Sequence, residues 1–138
     1  MPLETCLRVA NGLGIHWVVL ADNDDKGVKD HAIVRKYLNG RSEKDALFVM
    51  KEANIEQHLC CIGFVDVYIN LLSHQPRSKV TVPPEDVNYP IQVANALPSY
   101  LKTRAAQEVL LAIRNDSRPV PKLFHDVILT ALKLAEEK

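Results

Sequence analysis

Three carboxylates and an amide stand in a row, Asp22-Asn23-Asp24-Asp25, between an apolar run and a glycine, Gly27. On an extended chain, side chains two residues apart project to the same side, so Asp22 and Asp24 would act as a pair. Two like charges confined in this way need a cation between them or a proton on one of them. Their hard oxygen donors suit magnesium, manganese or calcium rather than zinc. The plainer reading is a polar turn, because Asp and Asn favour loops and helix caps, with Asp25 capping the helix after Gly27. A calcium-binding loop fails on two positions. Asp22, Asp24 and Gly27 suit its first, third and sixth places, but Lys26 holds the fifth and Ile33 stands where the bidentate glutamate belongs.

A second acidic group follows the next apolar run. Ala46-Leu-Phe-Val-Met50 leads into Glu52 and Glu56. In a parallel sheet the carboxyl ends of the strands share one edge, and ligands of open α/β sheets bind there. Glu56 alone reads as a first-turn carboxylate favoured by the helix dipole. Beside the aspartates it becomes a further candidate ligand.

The elements that would position these groups are readable from periodicity. Apolar residues at Leu3, Cys6, Leu7, Ala10 and Leu13 mark one face of a helix, closed by Asn11, Gly12 and Gly14. Residues 15–21 form a β-branched apolar run expected as a strand buried on both faces. Gly27 opens a second helix that Asn39-Gly40 closes, and residues 46–50 give a second strand. Asn54 is placed to cap a helix over residues 55–61, Gly63 breaks it, and residues 64–72 continue as another.

Residues 73–90 carry four prolines among polar residues and read as a loop, with Lys79 to Val82 alternating enough for an edge strand. The tail reads as two helices, over residues 100–113 and 123–134. Strands alternating with helices predict an α/β fold with a parallel sheet flanked by helices, then a helical C-terminal extension. The expected divisions are 1–72 for the α/β part, 73–98 for the loop, and 99–138 for the extension.

Bulk properties bound the function classes. The chain of 138 residues is 47% hydrophobic and 25% charged, as expected for one globular domain. Its 17 basic and 17 acidic residues give no net charge, hence no basic surplus of the kind a stand-alone nucleic-acid binder carries. Three cysteines, two of them adjacent, form neither a disulfide framework nor zinc spacing, and point to reduced thiols in a cytoplasmic protein. No apolar run approaches the roughly 20 residues of a membrane span, and no secretion signal opens the chain.

At the acidic residues a family resemblance appears. The segment Gly14-Ile-His-Trp-Val-Val-Leu-Ala-Asp-Asn-Asp-Asp-Lys-Gly27 resembles the second acidic motif of Toprim domains, in the form found in OLD-family (overcoming lysogenization defect) ATP-dependent endonucleases. Asn54-Ile-Glu-Gln-His-Leu59, with Gly63-Phe64 just after it, is similar to that family's "Ile-Glu-x-x-Leu" helix. Lys102-Thr-Arg-Ala-Ala106 and Val120-Pro-Lys-Leu123 resemble its later lysine segment and helix start.

The resemblance implies a partial Toprim-like sheet and a metal-dependent nuclease. Asp22, Asp24 and Glu56 would hold Mg2+ or Mn2+, and Lys102 would stand near the scissile phosphate of DNA. It also implies an ATPase domain as partner, of which this chain carries no phosphate-binding loop. The family's site includes a glutamate on a strand before the Asp-x-Asp, whereas the only acidic residue before Asp22 is Glu4, in a helical pattern. The resemblance thus covers a carboxyl-terminal portion whose site is complete only in a full-length context. The open sheet edge left by the missing strand could drive formation of a homodimer.

Two rival readings come from the same residues. A haloacid-dehalogenase-type phosphatase would use Asp22 as nucleophile and Asp24 as acid/base, although Lys26 stands where that pattern has threonine or serine. A non-catalytic fragment would serve only in assembly.

Overall fold

The structure is a computed structural model describing residues 1–73 and 79–137. Its elements run α1 (Leu3–Gly12), β1 (Val19–Ala21), α2 (Asp25–Lys36), β2 (Leu47–Val49), α3 (Ile55–Leu59), α4 (Val65–Leu72), α5 (Tyr89–Ala96), α6 (Lys102–Asn115) and α7 (Lys122–Glu136). Contacts divide the chain into two units, Met1–Asn54 with Lys122–Lys138, and Ile55–Pro121. These divisions fall at other points than the stretches 1–72, 73–98 and 99–138 read from the sequence.

In the first unit, β1 and β2 pair in parallel with Val19 opposite Leu47, Leu20 opposite Phe48 and Ala21 opposite Val49. α2 is the crossover between them. The expected α/β order and parallel pairing are present, in a protein that is mostly helical. The strands are shorter than their apolar runs because neighbouring groups take the backbone first. Ile15 N–H bonds back to Ala10 O at 2.8 Å, and Trp17 O accepts from Arg41 Nη1 at 2.9 Å. Nor is the sheet fully buried: on the face that Ala21 and Leu47 share, Val49 is exposed, and Leu20 and Phe48 on the other face are only partly buried.

The core of this unit gathers Leu7, Ala21, Val34 and Leu47, with Trp17, Ile33 and Tyr37 packed around them. Asn11 does more than end α1. Its Nδ2 donates to Tyr37 O at 2.9 Å, satisfying a carbonyl at the end of α2. Its Oδ1 accepts from Trp17 Nε1 at 2.8 Å. Glu4 accepts from Lys36 Nζ and Tyr37 Oη at 2.8 and 2.9 Å. The lysine holds its carboxyl below the usual range.

The second unit turns on Gly63. α3 passes through a π-helical turn, Cys60–Phe64, and Gly63 there adopts φ 118° and ψ 9°. That left-handed conformation strains any residue with a Cβ, so glycine sets where one helix stops and α4 begins. Phe64, Tyr68, Leu71 and Leu72 then bury with Val93 and Val109 from later helices.

Two expectations in the proline-rich stretch need correction. α5 lies inside the segment read as a loop, with Pro90 in its first turn, where a missing N–H costs nothing. Residues 79–82 form no strand. Thr81 N–H and Val82 N–H instead donate to the side-chain oxygen of Gln92, at 2.9 and 3.3 Å. The part of that stretch over residues 74–78 lies outside the described residues.

Candidate functional site

β1 delivers its aspartates to the expected place. Ala21 ends the strand, and its carbonyl accepts from Met50 N–H at 3.2 Å. Beyond it, Asn23 N–H donates to Ala53 O at 2.9 Å, and Asn23 Nδ2 donates to Lys51 O at 3.3 Å. The turns after both strands are thereby tied together, and Glu52 sits between the two carbonyls that Asn23 holds. Asn23, placed between the candidate ligands, is the clamp.

Asp24 is the N-cap of α2, with extended backbone and Oδ1 accepting from Gly27 N–H at 2.7 Å. The cap is therefore Asp24. Asp25, the capping candidate from sequence, is instead the first helical residue, where its charge favours the dipole. A carboxylate has two oxygens and the cap uses one, so capping and cation binding are compatible roles for Asp24.

Asp22 is fixed through its backbone. The ring Nε2 of His31, a buried residue, lies 3.1 Å from Asp22 O. A carbonyl can only accept, so this nitrogen carries the hydrogen and donates. Gly27 closes on the same oxygen. A Cβ built on Gly27 would stand 1.9 Å from Asp22 O. His31 is a site residue that the sequence reading missed; its spacing from Asp22 carries no motif.

Glu56 and Lys102, both in the second unit, are brought together by the fold. Lys102 Nζ lies 3.4 Å from Glu56 Oε1, with the glutamate side chain 13% exposed and the lysine half-exposed. Lys102 is the first residue of α6, where a cation meets the positive end of the helix dipole. The Glu56 carboxylate offsets that repulsion. Nearby groups are poor nucleophiles at neutral pH. Burial, then the charges of Cys61 and Glu56, push the Cys60 thiol up to about 12. Burial likewise raises the Tyr68 hydroxyl.

Among the described residues, no group of three or more His, Cys, Asp or Glu side chains is gathered closely enough to hold a metal ion. Asp22 and Asp24 belong to the first unit, Glu56 and Lys102 to the second.

The second unit also holds an ion pair that sequence reading did not find. Arg118 grips Asp66 with two nitrogens, at 2.9 and 2.5 Å. It reaches Gly63 O at 3.4 Å and lies over the Phe64 ring, 5.6 Å from its centre. The pair borders a cleft of about 370 Å³ between α4 and α6, lined also by Asn70, Glu108 and Leu111. None of the four sequence candidates lines it.

Comparison with known proteins adds one relative of partial coverage. A stretch of 68 residues is 34% identical to the uncharacterized protein YbjD of Escherichia coli strain K12. It covers 48% of this chain and 12% of that protein, so the chain spans a small part of the relative it matches. No family model matches the chain. No solved structure matches it either.

Proposed function

We propose that this chain contributes a divalent-cation site to a metal-dependent DNA endonuclease of the OLD type, with Asp22 and Asp24 as its ligands. The observation that carries the reading is the locked turn between β1 and α2. Asp22 is held at its carbonyl by His31 and the close approach of Gly27, Asp24 by its cap, and Asn23 by the segment after β2. Such bracing is what a pair of ligands needs to keep its geometry when the cation leaves.

The donor set fits magnesium or manganese. These ions keep several waters and use one or two protein carboxylates plus substrate phosphate, so two aspartates suffice without a closed protein cage. When bound, the cation would supply charge to the attacking and departing oxygens of a phosphodiester. The chain's own part is to hold those carboxylates in place and to exclude rearrangement of the turn. Lys102 is assigned to the phosphate by resemblance, with Glu56 3.4 Å away to hold it at the start of α6. Glu56 as a third ligand, DNA as substrate and an ATPase domain as partner rest on the resemblance alone.

The test pairs binding with cleavage. Mn2+ binding followed by electron paramagnetic resonance is expected to weaken at least about tenfold, or ~1.4 kcal/mol, in Asp22→Asn and in Asp24→Asn. Nicking of supercoiled DNA in Mn2+, in the full-length context, is expected to vanish with Asp22→Asn. Unchanged Mn2+ affinity in both variants overturns the reading. Capture of a phosphate analogue on Asp22 would transfer it to the phosphatase class.

A further inference from the structure

α7 is an amphipathic helix with no buried residue. Ile128, Leu129 and Leu132 are 54%, 41% and 55% exposed. At 3.6 residues per turn these three fall in one arc about 100° wide, and His125 and Glu136 extend it along the axis. Four charged residues, Lys122, Asp126, Lys133 and Glu137, fall along a single flank of that arc. Glu137 continues the helical surface, its N–H bonding to Leu134 O at 3.2 Å. Among the described residues, the opposite flank of the arc, along Pro121, Ile128 and Ala135, carries no charge.

We propose that α7 is a self-association surface, packing antiparallel against α7 of a second copy of this chain. In an antiparallel pair related by a two-fold axis, each flank meets the same flank of the other helix, running in the opposite direction. An axis between Leu129 and Thr130 sets Lys122 against Glu137 of the second copy and Asp126 against Lys133 of the second copy. Both contacts join opposite charges, and the symmetry makes each occur twice. The same axis, to within about one residue or 1.5 Å of rise, sets Ile128 against Leu132 and Leu129 against its own counterpart.

One placement therefore joins Ile128, Leu129 and Leu132 and sets opposite charges together along the flank, where Lys122 and Asp126 already pair within each helix at 2.6 Å. Parallel packing does not, because it brings the charged flank onto the uncharged one. The pattern also selects α7 over the edges of the β1–β2 sheet, which are three residues long and offer little backbone for pairing.

The size of the surface sets the strength. A pair of 15-residue helices covers less than the roughly 800 Å² per partner of a standard interface, so the dimer is weak and concentration-dependent. The flanking charges fix direction and register more than affinity. The inference is independent of any cation at Asp22 and Asp24.

The experiment is sedimentation velocity of the 138-residue chain over a concentration series, with circular dichroism as a check on folding. The chain is expected to shift from monomer to dimer as concentration rises. Leu132→Asp is expected to weaken the dimer at least about tenfold. Lys133→Glu sets like charges together twice and weakens it, and adding Asp126→Lys to that variant restores it. In a Cys6→Ser, Cys61→Ser background, Leu129→Cys is expected to cross-link two copies under mild oxidation. Lys122→Cys is expected not to, since the two copies of residue 122 stand about 22 Å apart. A monomer at every concentration overturns the proposal. So does a dimer indifferent to Leu132→Asp, or Lys122→Cys cross-linking as readily as Leu129→Cys.

Discussion

The α-carbon of Gly27 packs directly onto the carbonyl of Asp22: a β-carbon at residue 27 would stand 1.9 Å from that oxygen. Gly27 is required here for space, at a buried first-turn position. Gly27→Ala is expected to cost about 1–3 kcal/mol, as overpacking of a tight site does. It must also displace Asp22, so urea unfolding and Mn2+ affinity should fall together. A variant of normal stability and normal Mn2+ affinity would show that the close approach constrains nothing.

Asp24 separates into two roles by chemistry. Asp24→Ala removes the oxygen that accepts from Gly27 N–H and is expected to cost about 1 kcal/mol of stability. Asp24→Ser keeps an N-cap acceptor but not the charge. Its stability should lie near the parent's while its Mn2+ affinity matches that of the alanine variant. Equal unfolding midpoints for alanine and serine would remove the capping role.

Asp66 links stability to pH. The Arg118 guanidinium holds its carboxyl below the usual range, outweighing the burial that pushes it the other way. With the folded value depressed, the contribution is fully present above the unfolded value of about 3.9 and is lost as pH falls through the folded one. The stability gap between the parent and Asp66→Asn is therefore expected to narrow on acidification from pH 5 to below pH 3. The pair is partly exposed, so added salt should narrow the gap as well. A gap constant with pH would dissociate this ion pair from folding.

The three thiols differ sharply in accessibility. Cys6 and Cys61 are exposed and Cys60 is buried, its thiol pushed up to about 12. Since the thiolate is the reactive form, two thiols per chain are expected to react rapidly with a disulfide reagent near pH 8. The third should react only on unfolding. Three fast-reacting thiols in the folded chain would contradict the buried placement of Cys60.

What the sequence made legible were features that act locally. The apolar spacing in Leu3, Cys6, Leu7 and Ala10 located α1, and Gly63 marked a break that the backbone shows at a left-handed angle. Strand lengths were not legible, because the groups that shorten β1 come from elsewhere: Arg41 takes the carbonyl of Trp17. Prolines hid α5, since composition does not distinguish a helix opened by Pro90 from a loop. At the site, the position of Asp22 and Asp24 after a strand was readable. The cap assignment was one residue off, because Asp24 and Asp25 are equally suited by type and only backbone angles choose between them. His31 on Asp22, Lys102 on Glu56 and Arg118 on Asp66 are contacts across the fold, and no spacing announces them.

The bend at Gly63 also decides what the segment Ile55–Leu72 is able to be. Glu56 and Asp66 interrupt that segment, so it is no unbroken apolar run. By length and mean hydropathy its 18 residues would nonetheless pass for a helix crossing a bilayer. A straight helix of that length would measure about 27 Å, close to the hydrocarbon thickness of roughly 30 Å. Turned at its middle by one glycine, it becomes two limbs, each less than half as long. Neither limb matches that thickness, and the carbonyl released at the turn is reached by Arg118. A single left-handed residue gives this apolar stretch the dimensions of a protein core.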